Sequence, residues 1–96
     1  MKKVILLTSI IMFSATSWAK TGAQVYTQAC QMCHAAGIAG APKTGDKKAW
    51  KARLDKGTSA LLTSIKKGKG AMPPGAMCPT CSDTEYKAAI QYMSKK

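Results

Sequence analysis

Cys30-Gln31-Met32-Cys33-His34 sets two thiols three positions apart, with an imidazole directly after the second. On a helix, positions i and i+3 share a face, so both sulfurs can meet the two vinyl groups along one porphyrin edge. His34 follows Cys30 by four positions and can set a ring nitrogen over the iron. C-x-x-C-H is the attachment pattern of a c-type haem. Two other chemistries also use paired cysteines. A thioredoxin-like redox pair normally sits in a βαβ unit, and no convincing strand can be read in this chain. A zinc site has more substance, because Cys30-x-x-Cys33 and Cys78-x-x-Cys81 resemble the halves of an all-cysteine tetrahedral site. It leaves His34 and Met72-Pro73-Pro74 without a role. One covalent haem c is therefore the expected cofactor, and a zinc-stabilised secreted module is the rival.

His34 is the only histidine, so two imidazoles of one chain cannot both ligate the iron. A thioether, a lysine or an open position remains for the sixth site. Met32 lies inside the attachment motif, and Met93 falls on the apolar face of the last helix, where packing explains it. Met72 precedes Pro73-Pro74, which hold the chain extended and bias Met72 the same way. A loop stiffened like this presents a thioether with little entropy lost. Met77, between Ala76 and Cys78, lacks that bracing but stays an alternative. Methionine ligation would saturate the iron and raise its reduction potential, giving an electron carrier with no enzymatic turnover. An open sixth position would instead give a haem enzyme or gas sensor.

Around the motif the chain reads as all-α, with four short helices and two long loops. Thr21 and Gln24 form a capping-box pattern, followed by Val25, Tyr26, Ala29, Met32 and Cys33 at helical spacing. Residues 35–45 are a loop rich in glycine. Asp46 can cap a second helix through Trp50 and Leu54, ended at Gly57. Thr58 can cap a third, with Leu61, Leu62 and Ile65 on one face and Gly68 just past its end. Residues 68–81 hold three Gly and three Pro and make the second loop. Ser82 and Glu85 form another capping box, opening a helix whose stripe is Tyr86, Ala89, Ile90 and Met93. Loops this long are usually functional, and here they can wrap a cofactor.

Ninety-six residues allow one small domain. Four acids and one histidine leave little for paired-carboxylate or triad chemistry, and 46% hydrophobic residues is too many for a disordered basic tail. Met1-Lys2-Lys3, the apolar run from Val4 to Phe13 and the close Ser17-Trp18-Ala19 read as a secretory signal peptide cleaved after Ala19. A retained anchor would want about 20 apolar residues, whereas Val4 to Ala19 offers sixteen, five of them Ser or Thr. The expected domains are thus residues 1–19, removed, and 20–96, exported. Cysteines outside the cytoplasm are oxidised or chemically modified. A mature chain of 77 residues is also near the size where a core alone is marginal. Something besides side chains should fill its middle.

Several further segments resemble the monohaem class I cytochromes c of the small bacterial c-five type: Thr21-Gly22 with Tyr26, Ala39 to Asp46, Trp50, Arg53, Ala71-Met72-Pro73-Pro74-Gly75, Cys78 to Asp83, and Ala88 to Met93. The resemblance covers essentially all of the mature chain. It implies a periplasmic electron carrier whose first and last helices cross at Gly22, with Tyr26 and Ile90 nearby. It implies His34 and Met72 as axial ligands, and a Pro42 carbonyl that accepts a hydrogen bond from the other ring nitrogen of His34, fixing the tautomer. Trp50 and Arg53 would lie near the haem propionates. Cys78 and Cys81 would form a disulfide, contributing about 2 kcal/mol on chain-entropy grounds. One departure is Gly75-Ala76-Met77, where relatives often carry Lys-Gly.

Nine cations fall between Lys43 and Lys69, with only Asp46 and Asp55 to offset them. Such a run either solubilises the surface or forms a docking face for acidic redox partners or anionic membrane, with attraction that fades as salt rises. Respiratory redox proteins are the expected partners. Nucleic acid is not expected for an exported chain, and the carrier should be a monomer or weak dimer.

Overall fold

The computed structural model describes residues 19–95. Residues 1–18, and with them nearly all of the expected signal segment, lie outside the described residues. No described helix is long and apolar enough to cross a membrane.

Helix α1 (Gly22–Val25) opens on a complete capping box: Gln24 N–H donates to Thr21 Oγ1 at 3.2 Å, and the Thr21 N–H donates to Gln24 Oε1 at 2.9 Å. It runs through a π-helical turn, Tyr26–Cys30, into α2 (Gln31–His34), so that residues 22–34 form one rod. Helix α3 (Lys47–Leu54) starts at Asp46, whose Oδ1 accepts from the Ala49 N–H at 3.1 Å. Helix α4 (Thr58–Lys67) ends at Gly68, and α5 (Asp83–Lys95) begins on the Ser82–Glu85 capping box. Counting the first rod once, these are the four expected helices. No strand occurs among the described residues, only a single bridge between Lys69 and Met72.

Thr58 departs from its expected role as a cap. Gly57 occupies that position with φ 94°, and no side chain caps the helix. The chain leaves α3 through a turn closed by the Gly57 N–H on the Leu54 carbonyl at 2.9 Å. That reversal needs the positive φ open to glycine, so Thr58 becomes the first helical residue.

The first rod and α5 meet at Gly22. A Cβ there would lie 2.7 Å from the Ala88 carbonyl carbon and 3.2 Å from Tyr92 Cβ; the first is too close for any side chain. Beyond this crossing, Tyr26 and Tyr92 pack with ring centroids 5.0 Å apart. The buried residues fall into two clusters. One joins Val25, Tyr26, Trp50, Ala89, Ile90 and Met93; the other joins Ala29, Leu62, Cys78 and Tyr86. Cys30, Ile65 and Cys81 touch both.

Candidate haem site

A cavity of about 360 Å³ lies between the two clusters and is walled by members of each, among them Val25, Trp50, Ile90, Ala29 and Tyr86. The cavity is partly open to solvent and its lining is mostly apolar, so left empty it would hold water against exposed hydrocarbon. The fold suits a large apolar occupant.

Cys30, Cys33 and His34 line the cavity together. Both cysteines are free and half-buried, and burial pushes the Cys30 thiol up to about 11, so it stays neutral. The π-helical turn ends at Cys30, with the Gln31 N–H reaching back to the Tyr26 carbonyl. A π turn changes the angular register of everything after it. It thereby sets the direction in which the C-x-x-C-H segment leaves α1. His34 Nδ1 lies 2.9 Å from the Pro42 carbonyl oxygen, to which it donates as the Nδ1–H tautomer. Its other ring nitrogen is left as the one able to coordinate. The residue 35–45 loop is fastened just beyond this contact to both the first rod and α5: Thr44 N–H donates to the His34 carbonyl at 2.9 Å, and Gly45 N–H to the Met93 carbonyl at 2.7 Å.

Trp50 and Arg53 also line the cavity, in different ways. The buried Trp50 ring stacks on His34 with centroids 5.6 Å apart and 30° between planes. Its indole N–H donates to the Lys43 carbonyl at 2.9 Å. That single donor is engaged, so Trp50 acts as a wall and a brace for the imidazole. Arg53 Nη1 donates to the Ala49 carbonyl at 3.0 Å, which leaves its remaining N–H groups for a ligand.

Met72 lines the cavity from the residue 68–81 loop. Reciprocal backbone bonds of 2.9 and 3.0 Å tie it to Lys69, and Pro73 is extended at ψ 158°. Gly68 is required here, since a Cβ would sit 2.8 Å from the Met72 carbonyl oxygen. Met77 borders the same cavity but is 55% exposed. Between them, the 3-10 turn Pro74–Met77 carries three successive positive φ values: Gly75 77°, Ala76 48° and Met77 64°. An L-residue in this region costs about 1–2 kcal/mol, so the turn needs outside support. Cys78 and Cys81, bonded to each other with Cα atoms 5.4 Å apart, lie just beyond it. Since that pair is a disulfide, it cannot also supply half of an all-cysteine zinc site. Among the described residues, no group of His, Cys, Asp and Glu is arranged to hold a metal ion.

A family model described as cytochrome c oxidase, cbb3-type, subunit III matches residues 18–93. Cytochrome c5 of Ectopseudomonas mendocina is 43% identical, over 84% of this chain and 95% of that one. A mono-heme ferrocytochrome c of Shewanella putrefaciens is 47% identical with a TM-score of 0.72, covering 82% of this chain and 98% of that chain. A cytochrome c solved in an electron transfer complex with nitrite reductase matches with TM-score 0.68 and 46% identity, over 76% of this chain and 89% of that one. The class defined by this fold and cavity is the small haem-bearing electron carrier. Within it, the chain belongs to the cytochrome c family, alongside cytochrome c5. Its cofactor is one covalent haem c. The cavity fits that group: two thiols, one oriented imidazole and a thioether share one apolar chamber.

Proposed function

We propose that the protein is an exported, periplasmic carrier of single electrons, not an enzyme, in which Cys30 and Cys33 bind the haem and His34 and Met72 are its axial ligands. When bound, the haem supplies a one-electron iron couple. Cys30 and Cys33 would hold it through thioethers formed by adding their S–H groups across its two vinyl groups, and the Pro42 carbonyl keeps the His34 ring and tautomer fixed. Met72 would close the remaining iron position against exogenous ligands and favour the reduced state. Arg53 lines the cavity with N–H groups to spare beyond the Ala49 carbonyl and would offer them to the propionates. The observation that carries this reading is the single chamber shared by Cys30, Cys33, His34 and Met72.

Two further features support export and redox partners. Lys20 N lies 3.0 Å from Glu85 Oε2, so cleavage after Ala19 would turn this amide into an ammonium beside a carboxylate. The domain would then be residues 20–96. Arg53, Lys56 and Lys69 border the cavity, and all the other cations between Lys43 and Lys69 are exposed. This suits docking to an acidic face of a redox enzyme, the class represented by nitrite reductase in the related complex, or peripheral contact with anionic lipid.

The test is the ferric absorption spectrum and the potential. Met72→Ala should abolish the weak far-red sulfur-to-iron band and lower the potential, and Met77→Ala should do neither. Loss of the band in Met77→Ala alone would reassign the ligand.

A further inference from the structure

Tyr86, on the first turns of α5, is 5% exposed, and its ring walls both the cavity and the Ala29–Leu62–Cys78 cluster. A phenol this deeply buried keeps its proton, since burial raises its pKa. The hydroxyl has one proton to give and lies 2.5 Å from the Cys78 carbonyl oxygen and 3.4 Å from that of Gly75. Those two carbonyls close the turn after Met72. The Gly75 oxygen accepts from the Cys78 N–H at 2.8 Å, and the Cys78 oxygen accepts from the Cys81 N–H at 3.0 Å. The turn is the place where Ala76 and Met77 are held at positive φ. Such backbone persists only where the surroundings over-determine it. The disulfide restrains Cys78 from one side, and the phenol restrains its carbonyl from α5, with the Gly75 oxygen as a weaker second acceptor.

We propose that Tyr86 is the positioning residue for Met72: its hydroxyl clamps the strained Gly75–Cys78 turn to α5, and so keeps the thioether seated in the cavity. The inference rests on the reading of Met72 as the sixth ligand. Upstream, Met72 is held by Lys69. Downstream, the rigid Pro73-Pro74 pair passes any movement of the turn directly back to it. Loss of the phenol frees the lever without touching the sulfur.

Tyr86→Phe keeps the ring and removes the clamp. It should be made in the holoprotein beside Leu62→Val, which loosens the same cluster but leaves the Tyr86 hydroxyl and its acceptor carbonyls in place, and Met72→Ala. The readouts are CO association with the ferrous protein and the temperature at which the ferric far-red band disappears. Tyr86→Phe should bind CO about fivefold faster than the parent, the factor of one neutral hydrogen bond, and lose the band well below its global unfolding. Leu62→Val should lose both together. Parental CO binding and a band that melts only with the fold would overturn the clamp. A band that survives in Met72→Ala would instead overturn the ligand reading on which it rests. If Tyr86→Phe accumulates poorly, hydrogen exchange of the parent decides: the clamp predicts Ala76 and Cys78 amides protected nearly to the global limit, and exchange as fast as in open loops contradicts it.

Discussion

The chain contains the spacing Cys-x-x-Cys twice, and the two copies have opposite fates. Cys30 and Cys33 stand on helical backbone, Cys30 at φ −93° and ψ −29°. Their thiols remain free and half-buried against the cavity. Cys78 leaves a strained turn at φ −134° and ψ 67°, Pro79 comes next, and the Cys81 N–H folds back on the Cys78 carbonyl. There the sulfurs bond to each other. The residue after each pair differs as well: His34, whose ring is oriented by Pro42, against Ser82, which caps α5. Spacing alone therefore specifies no chemistry. The backbone beneath the pair and the neighbour on its C-terminal side do.

The largest expected effect comes from emptying the helical pair. Cys30→Ala with Cys33→Ala should give no covalent haem, and little folded protein in the periplasm, because the chamber would lack its occupant. Emptying the loop pair should do far less. Cys78→Ala with Cys81→Ala should keep a Soret band and lose about 2 kcal/mol in denaturant unfolding; loss of haem there would mean that the two pairs are not independent. Smaller again is Ala76→Gly. It removes a positive-φ alanine from the turn before the disulfide and should raise stability by about 1 kcal/mol. A destabilised variant would show that the turn is held by more than backbone geometry.

The smallest effect concerns the cap after the loop pair. The Ser82 backbone N–H, and next that of Lys20, hold the Glu85 carboxyl below its ordinary value of 4.5. A depressed carboxylate contributes stability that is present above the unfolded pKa and lost as pH falls through the folded one. Glu85→Gln should therefore be slightly less stable than the parent at neutral pH and converge with it in acid, so that its unfolding below pH 4.5 is flatter. An unaltered acid limb would remove Glu85 from the account.

Much of this was readable from side-chain chemistry. The Thr21–Gln24 and Ser82–Glu85 boxes and the Asp46 cap are local hydrogen-bond patterns, and they stand where their residue types predict. The Pro42 contact and the Cys78–Cys81 pairing came with the resemblance, and both are present. What escaped was set by backbone geometry or by tertiary neighbours. The π turn at Tyr26–Cys30 is a change of hydrogen-bond register, which apolar periodicity does not encode. Ala76 and Met77 take a conformation usually left to Gly or Asn, so nothing in their identity announced it. Trp50 gives its N–H to the Lys43 carbonyl, a tertiary contact that its place in the helix does not announce. Tyr86 read as one more apolar position, because a stripe of helical spacing says nothing about where a hydroxyl ends.

The most direct test of the central claim, that a covalent haem completes the core, is the spectrum of the purified periplasmic protein before and after acid-acetone extraction. The account predicts a Soret band that stays with the polypeptide. Haem passing into the organic layer, or compact protein with no colour from cells able to mature cytochromes, would contradict it.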